Sequence, residues 1–179
     1  IRAVRFSDGA IAISSRLKRY YEKLNGSIIV SLCSAADESW FNYSRDKIVF
    51  RKELKLPVDA YLIGYTGVVG ANPNNDYYEV DDIVKSLEFL PKGVTVVIVG
   101  ELTSEAGWLR DIAENLGVQD RVVILPWQDR SQIPKYLQAF DAVLVPKRKK
   151  DLVGDSPAKM FQALATHRPI VAGRAECIE

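Results

Sequence analysis

From Tyr61 to Ala172 the chain alternates between short runs of apolar, β-branched residues and segments with apolar side chains at helical spacing. That rhythm constrains the fold more than any other feature. "YLIGYTG" reads as a strand ending in glycine, and "DYYEVDDIVKSLEFLP" as a helix with Val80, Ile83, Val84 and Leu87 on one face. "VTVVIVG" follows, and its almost unbroken apolar run suits a strand covered on both sides. "EAGWLRDIAENLG" is helical, with Trp108, Leu109, Ile112, Ala113 and Leu116 in phase and Gly117 as its stop. "RVVILP" is a strand, "SQIPKYLQAF" a helix that tolerates Pro134 in its first turn, and "DAVLVP" a strand. A last helix within "GDSPAKMFQALATHRP" leads into the strand "PIVA". Five strands separated by helices predict an α/β fold, a doubly wound, Rossmann-like parallel sheet.

Upstream the pattern is less regular. "AIAI" (10–13) and "SIIVSL" (27–32) read as two strands, and "SRLKRYYEKLNG" between them as a helix carrying Leu17, Tyr20, Tyr21 and Leu24 on one face. Residues 40–57 are mixed, a linker or short helix ending at Pro57. The chain lacks an initiator Met and stops directly after a strand-like segment, so the expectation is a piece of a longer polypeptide. The expected division is 1–57 as the end of a preceding domain plus the crossing segment, and 58–179 as one α/β domain.

Composition removes several function classes. A net charge of +1 carries no electrostatic footprint for nucleic acid. Cys33 and Cys177 are far apart and have only His167 to help, which is neither a metal-ligand spacing nor a disulfide framework. No apolar run approaches the ~18 residues of a membrane span, and no signal peptide is legible. A cytoplasmic, reducing location is therefore expected.

Open parallel sheets bind ligands beyond the carboxyl ends of their strands, where strand order reverses. For an order of 3-2-1-4-5, counting from Tyr61, the loops after strands one and four line that crevice. The first, "GVVGANPNN", has Gly67 and Gly70 to let a ligand approach the backbone. It is neither GxGxxG nor a Walker loop, and alone it reads more readily as a plain turn. The other, "KRKKDLVGD", carries four cations, Lys147, Arg148, Lys149 and Lys150, where an anion would enter. Ser156 is a good N-cap and Pro157 a good first helical residue, which would aim free N–H groups at the same crevice. Lys159 adds a charge one turn in, and Gln162 lies at a spacing from which it could reach ribose hydroxyls. His167, at the helix exit before Arg168 and Pro169, fits a C-cap better than a catalytic role.

In this order the parts resemble the C-terminal, nucleotide-sugar-binding half of GT-B glycosyltransferases of the family-4, group 1 type. "IGYTGVVG", "VTVVIVGE", "LGVQDRVVILPW", "YLQAFDAVLVP" and "SPAKMFQALATHRPIV" are each similar to a family segment and occur in family order over roughly 110 residues. "AIAISSRLKRYYEKLNG" is similar to the end of the N-terminal domain. The resemblance implies a sugar transferred from a nucleotide-diphosphate donor, with retention and without a metal or other cofactor. The acceptor, a glycan or lipid-linked molecule, would be held through the N-terminal domain, with peripheral membrane contact as an option. It implies donor binding by Gly67, Gly70, Lys147, Arg148, Asp155, Ser156, Lys159 and Gln162, with Trp127 and Gln128 in reach of the base.

The chain departs from the family at four positions. Gly154 and Gln162 stand where many members have two glutamates, one on the donor sugar and one on the ribose. Val68 and Pro73 stand where many have the Arg and Lys that hold the diphosphate. Two alternatives follow: a domain that binds sugar nucleotides or serves as a scaffold without catalysis, and a sugar-nucleotide epimerase of the same architecture.

Overall fold

In the computed structural model, described for residues 2–24, 28–42, 46–69, 80–101, 107–146 and 158–173, the chain opens with a turn of helix, α1 (Arg2–Arg5). Then come β1 (Gly9–Ala12), α2 (Ser15–Glu22) and β2 (Ile28–Ser31). β1 and β2 form a parallel pair, with Gly9 opposite Ile28. Ser14 caps α2, its side-chain oxygen accepting from the Leu17 N–H at 3.2 Å. No side chain of α2 is fully buried. The mixed stretch 40–57 resolves into a 3-10 helix (Glu38–Asn42) and α3 (Lys47–Glu53), which Asp46 caps through the Ile48 N–H.

The regular part follows as β3 (Tyr61–Val69), α4 (Val80–Lys85), β4 (Val94–Glu101), α5 (Gly107–Asn115), β5 (Val122–Pro126), α6 (Ile133–Ala139), β6 (Ala142–Val145), α7 (Ala158–Ala165) and β7 (Ile170–Ala172). The sheet is parallel, in the order β5-β4-β3-β6-β7. Counted from Tyr61 this is 3-2-1-4-5, the order for which the ends of strands one and four line the crevice.

Two apolar layers sandwich the sheet because successive strand residues point to opposite faces. Ile63, Tyr65, Val96 and Ile98 pack with Val80, Ile83 and Val84 of α4 and Leu109 and Ala113 of α5. Leu62, Val97, Val99 and Val143 pack on the other side with Phe50, Leu137, Phe140 and Ala163. β4 is buried on both faces, which is why it reads as a continuous apolar run.

Two arginines anchor the edges of this sandwich. Arg51, in α3, is buried and donates through Nε to the Ala139 carbonyl (2.8 Å), through Nη1 to those of Val58 (3.2 Å) and Ala60 (2.9 Å), and through Nη2 to Asp141 Oδ2 (2.6 Å). It ties the segment before the sheet to β3 and β6. Arg121, from the "DRV" segment, donates to the carbonyls of Leu87, Leu90, Pro91 and Val94 at 2.8–3.2 Å, fastening the turn that enters β4.

Candidate functional site

β3 and β4 end at almost the same level, since Tyr61 pairs with Val94 and Thr66 with Val99. Their final glycines nearly touch: a Cβ on Gly100 would lie 2.0 Å from the Gly67 carbonyl oxygen, and Gly100 has φ +128°. Only glycine permits both the approach and the angle. Above this floor lies a cleft of about 210 Å³. Thr66, Gly67, Val99 and Gly100 form its base, and Gln162 of α7 reaches in from the side.

Three other segments supply the remaining walls. Trp127 and Gln128 follow β5 directly, and Trp127 is 57% exposed. Arg130 and Ile133 come from the approach to α6. Trp40, brought by the 3-10 helix that packs on α7, is 5% exposed and closes the back. The turn carrying Arg130 is fixed by Asp129, whose Oδ1 accepts from the Ser131 N–H (2.9 Å) and hydroxyl (2.6 Å). Those bonds hold the Asp129 carboxyl below its usual range. Asp37, beside the Trp40 helix, makes the same turn with Ser39, which lowers its pKa, and the Arg130 charge lowers it further.

Lys159 lies at the start of α7 and reaches over the end of β3. Its Nζ donates to the Tyr65 hydroxyl at 3.2 Å and sits 4.4 Å from the Tyr65 ring centroid. A Cβ on Gly67 would fall 2.6 Å from that ammonium and 2.8 Å from the hydroxyl. The Lys–Tyr pair occupies the space a side chain at position 67 would need. A cation is thereby held at the carboxyl end of the first strand of the main sheet, against Gly67, one of the residues that line the cleft. Such an arrangement suits a ligand with an anionic part and a flat, polar ring.

The structure thus brings Gly67, Trp127 and Gln162 together in one cleft, with Gln128 beside them and Lys159 against Gly67. Gly70, Pro73, Lys147–Lys150, Gly154, Asp155 and Ser156 lie outside the described residues, as does the side chain of Val68. His167 adopts φ 55° where α7 ends, its N–H donating to the Leu164 carbonyl (3.0 Å), and is the expected C-cap. Sequence reasoning missed Trp40, Arg130 and Ile133, which arrive by tertiary folding, and Tyr65, a strand residue like its neighbours until Lys159 is placed over it. Gly100 had a signal, a glycine closing an apolar strand, that pointed to the site only once the register of β3 and β4 was known.

Among the described residues no cluster of three or more His, Cys, Asp or Glu side chains is placed to hold a metal. No helix among them is long and apolar enough to cross a membrane.

Residues 61–179 match the family model described as Glycosyl transferases group 1. The chain is similar to D-inositol 3-phosphate glycosyltransferase of Mycobacteroides abscessus, 34% identical over 131 residues, 71% of this chain and 27% of that one. It is similar to the enzyme of the same name from Xylanimonas cellulosilytica, 31% identical over 107 residues, 58% of this chain and 24% of that one. It therefore spans about a quarter of the length of these curated relatives. Anabaena HepE, solved in complex with UDP and glucose, superposes with a TM-score of 0.76 at 20% identity, over 97% of this chain and 46% of that one. WaaG, a glycosyltransferase involved in lipopolysaccharide biosynthesis, superposes with a TM-score of 0.70 at 14% identity, over 90% and 43%. These likenesses establish the fold as the GT-B kind, of which this chain supplies less than half.

Proposed function

The chain belongs to the glycosyl transferases group 1 family, and on that premise we propose that its cleft binds the nucleotide-diphosphate sugar donor of a glycosyltransferase. The observation that carries this reading is the Lys159 ammonium held against Gly67, a glycine that also lines the cleft with Trp127 and Gln162. In it the diphosphate lies over Gly67 and Gly70 and against Lys159, the ribose faces Gln162, and the base meets Trp127 and Gln128. Lys147, Arg148, Asp155 and Ser156 are assigned to the same donor, the first two as further cations. A related fold solved with UDP and glucose supports the donor class.

The chemistry follows from where charge develops. As the bond from the anomeric carbon to the donor phosphate breaks, negative charge grows on the leaving diphosphate. A fixed ammonium and backbone N–H groups stabilise that charge more than they stabilise the ground state. Cations of the chain can serve in this role without a metal, and the transfer proceeds with retention at the anomeric carbon. The acceptor, a glycan or lipid-linked molecule, enters from the polypeptide that the longer relatives possess and this chain does not span. The whole protein acts in glycan or polysaccharide synthesis in the cytoplasm, where it can meet a membrane surface.

Titrating UDP-, GDP- and ADP-sugars into this chain, with ligand-observed NMR as the readout, tests the reading. Selective binding of one nucleotide, weakened by Lys159→Ala, is expected. Equal, Lys159-independent line broadening across the panel would remove the donor site. Gln162, an amide where the family resemblance implies a carboxylate, favours a second reading, a domain that binds donors without transferring them. Binding by the full-length protein with no sugar transferred would decide for it.

A further inference from the structure

Tyr65 is fully buried among the apolar residues of one sheet face, yet its hydroxyl lies at the top of β3, against the Lys159 ammonium. Core packing alone would be served by phenylalanine. A buried phenolic hydroxyl needs a polar partner, and here a partner is a cation from a helix 94 residues further along the chain. The same cation also lies 4.4 Å from the ring centroid, toward the hydroxyl end of the ring. Ring and hydroxyl both bear on the end of a flexible four-carbon side chain.

We propose that Tyr65 is a positioning residue: it fixes the Lys159 ammonium against Gly67 so that an anionic group meets a cation already in place. The proposal rests on the donor-site reading above and deepens it. Three neighbouring facts converge on it. Tyr65 lies in the rigid centre of the sheet, paired with Ile98 of β4. Gly67 leaves the space in which hydroxyl and ammonium meet, since a Cβ there would be under 3 Å from both. Lys159 begins a helix whose later residue Gln162 lines the cleft, so the two functional positions of α7 move as one. Pre-ordering the lysine removes part of the entropy cost that ligand binding would otherwise carry. It also keeps the cation aimed where negative charge grows in the transition state.

The test compares Tyr65→Phe, Tyr65→Leu and Lys159→Met, singly and combined, in this chain, with UDP, GDP and ADP as probes and thermal melting as the check on folding. Tyr65→Phe keeps the ring and its volume, so it answers the question even where Tyr65→Leu fails to fold. The expected result is about threefold weaker binding for Tyr65→Phe and about tenfold for Tyr65→Leu. In the Lys159→Met background neither substitution should weaken binding further. An undiminished Tyr65 effect in that background, or no effect in the native one, overturns the proposal.

A second readout needs no nucleotide: the rate at which Lys159 is reductively methylated, followed by peptide mass spectrometry. Tyr65→Phe and Tyr65→Leu should each raise that rate severalfold over other lysines, and an unchanged rate overturns the proposal. Should the native chain bind none of the three nucleotides, the donor-site reading falls. The methylation rates then judge the hold on Lys159 by themselves.

Discussion

Arg51 and Asp141, 90 residues apart, share a 2.6 Å ion pair with almost no exposure to water. Asp141 Oδ2 also accepts the Leu62 N–H at 2.7 Å, and Lys47 reaches its other oxygen. Burial alone would push this carboxyl up, but Lys47, the Leu62 N–H and Arg51 outweigh it and hold its pKa below the ordinary value. A carboxyl whose pKa falls on folding adds stability above its unfolded pKa and loses it as pH drops through the folded one. The loss should therefore set in below about pH 4, where the unfolded carboxyl begins to bind protons. Asp141→Asn leaves the buried Arg51 uncompensated and should cost about 3 kcal/mol at neutral pH. Urea unfolding at pH 7 and pH 3 checks both statements: the gap between native and variant should shrink in acid, and a constant gap would remove the linkage.

Gly100→Ala should fail in a different way. Its Cβ would sit 2.0 Å from the Gly67 oxygen and 2.8 Å from the Gly67 carbonyl carbon, both backbone, at a φ that L side chains rarely adopt. Neither strand can give way without breaking the Thr66–Val99 register. A loss of about 2 kcal/mol or more is expected, together with displacement of Gly67 and of the ammonium beside it. Melting temperature and nucleotide titration on the same sample check it; native behaviour in both would mean the two strand ends are not locked together.

The parts of the fold legible in sequence are those where one physical demand governs a contiguous segment. β4 had to be apolar on both faces, and residues 94–99 show it with only Thr95 as a polar exception. The helix α5 had to end at Gly117, and alternation of strand and helix called for a parallel sheet, though not for one order of its strands. What stayed hidden depends on contacts between distant segments. Residues 40–57 read only as a linker or short helix, yet Arg51 within them is buried because four acceptors converge on it from residues 58 to 141. Trp40 sits in a mixed stretch with no periodicity, and only its packing against α7 carries it to the cleft. Gly67 and Gln162 could be named beforehand, from the glycine that closes "YLIGYTG" and from spacing along the last helix, and Trp127 by resemblance; the strand in fact runs on past Gly67 to Val69. That they share a cleft is a property of the fold.

α3 and α7 end alike, and both endings can be improved. Leu56 N–H donates to the Arg51 carbonyl and Lys55 N–H to that of Lys52, with Lys55 at φ 55°. Arg168 and His167 repeat the arrangement on Ala163 and Leu164. α5 ends the same way with Gly117, the residue this left-handed position favours. Lys55 and His167 are exposed, so their side chains carry little packing. Lys55→Gly and His167→Gly should each stabilise the chain by about 0.5–1 kcal/mol, read as a rise in melting temperature.

Arg121→Lys should loosen one corner and leave the cleft intact. Lysine keeps the charge, but a single ammonium cannot reproduce the planar fork that reaches four carbonyls. A cost of about 2 kcal/mol is expected. Hydrogen exchange should quicken around residues 87–94 while Trp127 fluorescence stays as in the native chain. A uniform loss of protection would mean that Arg121 supports the whole sheet.

Gln162 offers the sharpest test of the ribose assignment. If its amide bonds ribose hydroxyls, Gln162→Ala should weaken nucleotide binding about fivefold, the worth of one neutral hydrogen bond. With the matching 2′,3′-dideoxynucleotide the same substitution should change nothing, because the hydroxyls are already gone. Gln162→Glu should tighten binding of the normal nucleotide severalfold, since a charged acceptor makes the stronger bond. The new carboxylate would lie three residues from Lys159 and compete for its ammonium, so the gain should grow with salt, which screens that pairing. Equal losses with the normal and dideoxy nucleotides would move Gln162 off the ribose and make it a wall of the cleft.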